Sequence, residues 1–162
     1  MTTLGTGTEL QSWAKRGILL FGLGLLVLLG YLLAVALVPR WWAQLIGDQV
    51  DGRISVGTGY GLTLGFLLTL ISLFLVRQAF RGMPWAARGL LLAVAVLISL
   101  PNLMTLAVVL GSGDGAHAGE RILDVDGPGF RAASATGALA AAAVLAAFLV
   151  LGVLRRDARG KP

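Results

Sequence analysis

The residues able to do chemistry in this chain are few, and most of them crowd into one stretch: Asp114, His117, Glu120, Asp124 and Asp126. His117 is the only histidine and there is no cysteine. Thiolate nucleophiles, disulfides, cysteine-bound metals and a haem held by two histidines are therefore ruled out. On a helix, Asp114, His117 and Glu120 fall at i, i+3 and i+6 and spread over one broad face. An imidazole with two carboxylates is a donor set that a divalent metal accepts. The spacing matches no closed signature, however, and an acidic, glycine-rich loop is ordinarily just solvated. No metal and no other cofactor is expected, with these three residues as the weak candidates for one. The run Asp124-Val125-Asp126-Gly127 starts like a calcium loop but has no glutamate at its twelfth position.

A second group is polar within an otherwise apolar stretch: Ser99, Pro101, Asn102 and Thr105. Pro101 removes one backbone donor and frees the carbonyl of Leu97, so a kink is expected. Asn102 sits beside the kink, with Ser99 and Thr105 three residues away on the same face. Such a notch either binds a small solute or lines a path at a broken helix, or it is a structural kink whose loose carbonyl these side chains satisfy. A third group is Gly57, Gly61 and Gly65, four apart on one helical face, with Ala133, Gly137 and Ala141 repeating the spacing further on. Small residues at this interval let helices approach closely and gain dispersion contacts. The stripe serves either as a seam between copies or partners, or as packing within one bundle.

The elements that must position these groups follow from where charge is absent. Apolar residues make up 57% of the 162-residue chain and charged ones 13%, about half the charge of a soluble domain, and mean hydropathy is +0.85. Every charge lies outside four stretches, 17–38, 54–76, 89–111 and 132–154. At about 1.5 Å per residue each spans the roughly 30 Å hydrocarbon core. An all-α, polytopic fold with four transmembrane helices is predicted. Uninterrupted apolar runs of this length exclude an outer-membrane barrel, whose strands alternate over about ten residues. Pro39 is expected to end the first helix, leaving external loops at 39–53 and 112–131, with a short interfacial helix over 116–123. Residues 1–16 form a flexible segment and 155–162 a basic tail. The apolar run after Lys15 and Arg16 is longer than the roughly 7–15 residues of a cleaved signal peptide, so the first helix is expected to stay.

Orientation comes from the basic residues at the helix ends. Lys15, Arg16, Arg77, Arg81, Arg88, Arg155, Arg156, Arg159 and Lys161 against Glu9 and Asp157 give one side +7. Arg40, Arg53, Arg121 and Arg131 against six carboxylates give the other −2. The termini and the 77–88 loop are placed in the cytoplasm, giving an N-in/C-in antiparallel bundle in a bacterial inner membrane. Trp13 and Trp85 then anchor the inner interface, and Trp41 and Trp42 the outer one. Attraction of the basic side to anionic lipid, about 1 kcal/mol per charge, accounts for the net +5 without a nucleic-acid partner.

No stretch carries a carboxylate, histidine or lysine inside the membrane, which argues against ion-coupled transport and against intramembrane hydrolysis. Across most of its length, and especially in Pro39-Arg-Trp-Trp-Ala-Gln-Leu-Ile-Gly-Asp-Gln-Val-Asp-Gly52 and Pro101-Asn-Leu-Met-Thr-Leu106, the chain resembles small four-helix actinobacterial membrane proteins of permease-like type. The resemblance implies an inner-membrane location and carries over no functional residue. The expected function is a non-enzymatic accessory or scaffold subunit. It would pack against other membrane proteins, or against itself, through the glycine face of the second helix. The alternative is a small permease or channel that works as an oligomer through the Asn102 notch.

Overall fold

The structure is a computed structural model that describes residues 6–159, with side chains described from Trp13 to Arg155. The first five residues of the segment expected to be flexible, and the last three of the basic tail, lie outside the described residues. The described chain is all-helical: α1 (Thr6–Val50), α2 (Ile54–Ala79), α3 (Trp85–Leu110), α4 (Asp114–Val125) and α5 (Phe130–Arg159). Four of these, α1, α2, α3 and α5, are long and apolar enough to cross a membrane.

The helices overrun the charge-free stretches because a charged residue does not end a helix. Arg77, Arg88 and Arg131 are all helical, their long side chains carrying the charge away from the apolar face. Arg88 is put to use: its Nε donates to the Ala79 carbonyl at 3.1 Å, satisfying one of the acceptors left open at the C-terminus of α2.

The largest departure from expectation is α1. It does not end at Pro39 but continues for eleven residues beyond it, to Val50. The loop expected over 39–53 is reduced to a tight corner at Asp51 and Gly52, both at positive φ. An interior proline costs about 3 kcal/mol because its missing N–H orphans a carbonyl one turn back, here that of Val35. Two things offset the cost. The continuation buries Trp42, Ala43, Ile46 and Val50 in a core completed by Val108 of α3, Leu123 of α4 and Phe130 of α5. Each large side chain withdrawn from water there contributes about 1.5–3 kcal/mol. In addition, α4 lies along α1 as a splint. Gly115 rests on the backbone of Val35 and Ala36, so close that a Cβ would stand 2.8 Å from the Val35 oxygen, and Gly119 rests one turn on against Pro39. The corner of α1 and α2 is tied to that of α4 and α5 by the Gly52 N–H donating to the Asp126 carbonyl at 2.9 Å.

Below this cap, α2 is the central helix. Its glycine face is filled by α5 of the same chain and the corner that leads into it: Gly57 meets Pro128 of the corner, Gly61 meets Phe130 and Ser134, and Gly65 meets Ser134 and Gly137. The partners ascend together, so the two helices run side by side in register. A Cβ on Gly137 would stand 2.5 Å from the Leu62 carbonyl and 2.8 Å from the Phe66 nitrogen, which is why only glycine serves at this seam. Beside α5, the adjoining side of α2 holds α3, through Ser72 Oγ donating to the Ala95 carbonyl at 3.0 Å and through Asn102. Because α3 and α5 meet each other only sparsely, a groove opens between them with α2 as its floor.

The first half of α1 contrasts with all of this. Every residue from Trp13 to Leu37 is exposed, and the apolar window of this span buries nothing.

Candidate functional site

Two features stand out: the groove between α3 and α5, and the bare span of α1. The groove encloses about 440 Å³ and brings together three of the four predicted notch residues, Ser99, Asn102 and Thr105, with Thr69 of α2 and Arg131 and Ser134 of α5. Pro101 lies within α3 without breaking it. Ser99 Oγ donates to the Val96 carbonyl at 2.9 Å and Thr105 Oγ1 to the Pro101 carbonyl at 3.0 Å, so neither goes to the Leu97 carbonyl that the proline frees. Asn102 turns away from its own helix: its Nδ2 donates to Thr69 Oγ1 at 2.9 Å and to the Gly65 carbonyl at 3.4 Å. Both amide hydrogens are thereby spent on α2, and Oδ1 remains as an acceptor on the groove side.

Across from Asn102 stands Ser134, on the α5 side of the same glycine: a Cβ on Gly65 would come within 2.9 Å of the Ser134 Cα. Ser134 is 4% exposed and lines the groove. Its hydroxyl has no hydrogen-bond partner among the described residues. One helical turn above it, about 4.5 Å along α5, Arg131 closes the mouth. Its guanidinium is gripped by Glu120 at 2.9 Å and by Asp124. One positive and two negative charges leave the mouth with a net charge of −1.

This arrangement accounts for the cluster around His117. Glu120 is held by Arg131 and faces His117 Nδ1 at 3.6 Å, so it fixes the start of α5 to α4. Asp114 is in the first turn of α4, where a carboxylate favours the positive end of the helix dipole. Among the described residues no three His, Asp or Glu side chains converge as metal ligands do.

The tryptophans divide. Trp13, Trp41 and Trp85 are exposed at 68%, 54% and 86%. Trp42 is not an interface anchor: it is a buried core residue whose indole Nε1 donates to Thr105 Oγ1 at 3.0 Å. The cause is the continuation of α1 through Pro39, which puts positions 42, 43, 46 and 50 on one inward face. The glycine face of α2 likewise needs correction as a docking surface, since α5 occupies it.

Thr69, Ser134 and Arg131 escaped the sequence reading because each belongs to a helix other than the one that carries the notch. The grip of α4 on α1 did leave a signal, Gly115 and Gly119 at the same four-residue interval as the glycines of α2. No protein-family model, curated protein or solved structure matches the chain.

Proposed function

We propose that this protein is a non-enzymatic accessory or scaffold subunit of a bacterial inner membrane that docks on another membrane protein through the span of α1. One observation carries the proposal: α1 is locked into the core beyond Pro39, yet every residue from Trp13 to Leu37 is exposed, with contact to α4 only at the end of that stretch, at Val35 and Ala36. Gly17, Gly22, Gly24 and Gly30 lie in that span with nothing within 4 Å of where a Cβ would be. Glycine inside a helix costs about 0.5–1 kcal/mol relative to alanine, and close approach of another helix is what compensates in a membrane. No such helix comes from within the described chain. The topology is N-in/C-in with alternating spans, supported by the basic residues at the inner helix ends and by the acidic cap around α4.

Purification of the tagged full-length chain from native membranes in mild detergent tests the docking. The wild type should carry a membrane protein partner, and the double variant Gly24→Leu/Gly30→Leu should lose it with its melting temperature unchanged. Equal recovery of partner by both would sink the proposal. Because the chain has no cysteine, orientation is tested with single introduced cysteines. An impermeant maleimide should label Asp48→Cys in intact cells and Arg81→Cys only after permeabilisation; the reverse pattern would invert the topology.

A further inference from the structure

The groove between α3 and α5 has a property that packing alone does not require: it holds hydrogen-bonding capacity that the chain leaves unused. Asn102 spends both amide hydrogens on α2 and keeps Oδ1 free on the groove side. Ser134, nine-tenths buried and more, offers its hydroxyl to the same space without a partner among the described residues. The two flank Gly65 at one level, so they act on one ligand group rather than two. No buried side-chain polar atom among the described residues lacks a partner, so these two oxygens open on the groove, where hydrocarbon chains have nothing with which to hydrogen-bond them.

We propose that this groove binds a neutral, hydroxyl-bearing, single-chain lipid of the monoacylglycerol class. One glycerol hydroxyl donates to Asn102 Oδ1, a second glycerol oxygen accepts from Ser134 Oγ, and the chain lies against Leu103, Leu106 and Ala138. Size selects the class first. About 440 Å³ is at the lower end of the roughly 300–1,000 Å³ of small-ligand sites, which suits one chain and a small head better than a two-chain phospholipid. Charge selects it second. Arg131, the only cation among the described residues that line the groove, is already paired with Glu120 and Asp124. A phosphate placed one turn from that net negative charge would be repelled, whereas a polyol head would not.

The test is native mass spectrometry of the purified full-length protein, titrated with monooleoylglycerol and in parallel with dioleoylphosphatidylglycerol. The wild type should form a saturable one-to-one adduct with monooleoylglycerol and a weaker, non-saturating one with the phospholipid. Ser134→Ala should weaken the former by roughly three- to tenfold, as loss of one hydrogen bond does. Ala135→Phe, made at an exposed position of the groove wall, should abolish the adduct while the melting temperature holds. The proposal is overturned if the wild type forms no saturable adduct, if either variant binds as the wild type does, or if the anionic lipid binds as tightly.

Discussion

Glycine is used in two opposite ways in this molecule. In α2, α4 and α5 the glycines mark where backbones touch: Gly61 against Phe130 and Ser134, Gly115 against Val35 and Ala36, and Gly137 against Leu62 and Phe66. In the first half of α1, four glycines face open space. The first half of α1, α2 and α5 are all apolar and long enough to span a membrane, and apolarity alone does not separate them. The difference lies in the neighbours. One region has consumed its small-residue surface inside the chain, and the other has kept it, which is why the docking surface we propose is on α1 and not on α2.

Substitutions break or sharpen this contrast in a graded order. Gly65→Leu drives a side chain into the backbone of Ser134. Overpacking a core costs about 1–3 kcal/mol where side chains can yield, and backbone yields less. This variant should fail to give a monodisperse peak on gel filtration. Trp42→Phe keeps the ring in the core and removes the indole donor to Thr105. Because Thr105 still donates to Pro101, no buried donor is stranded, and a loss of about 1 kcal/mol is expected, read as a lower melting temperature in detergent. Arg131→Gln releases Glu120 and Asp124, which are 32% and 59% exposed. The loss should be below about 1 kcal/mol and should shrink further in high salt, so melting curves of variant and wild type should converge as salt is added. Gly30→Leu, in open space, should change stability by no more than about 0.5 kcal/mol. If it destabilises the isolated chain as Gly65→Leu does, α1 is packed within the molecule and the contrast is gone.

The parts of this fold legible in the sequence are those set by local physics. Absence of charge over 22 or 23 residues marks a span whatever surrounds it, and the interval between Gly57, Gly61 and Gly65 announces a close contact wherever the partner lies. The path of α1 was not legible, because the rule that proline ends a helix is local while the splint that defeats it, Gly115, is 76 positions away from Pro39 in the chain. The misplacement of Trp42 follows from the same cause. The groove was half legible: Ser99, Asn102 and Thr105 share a face of one helix, but Ser134 and Arg131 reach it only through the packing of α5 on α2. The bare face of α1 was illegible for another reason. Lipid and a neighbouring helix present the same apolar surface, so hydropathy does not distinguish a face that meets one from a face that meets the other.

Site-specific photo-crosslinking in living cells asks that question directly. Leu26 of α1 and Leu139 of α5 are almost equally exposed, at 68% and 73%, and each is replaced in turn by a benzophenone amino acid. Irradiation should yield a discrete higher-mass protein adduct from position 26 and none from position 139. The same adducts at both positions, or none at position 26, would contradict a docking role for α1.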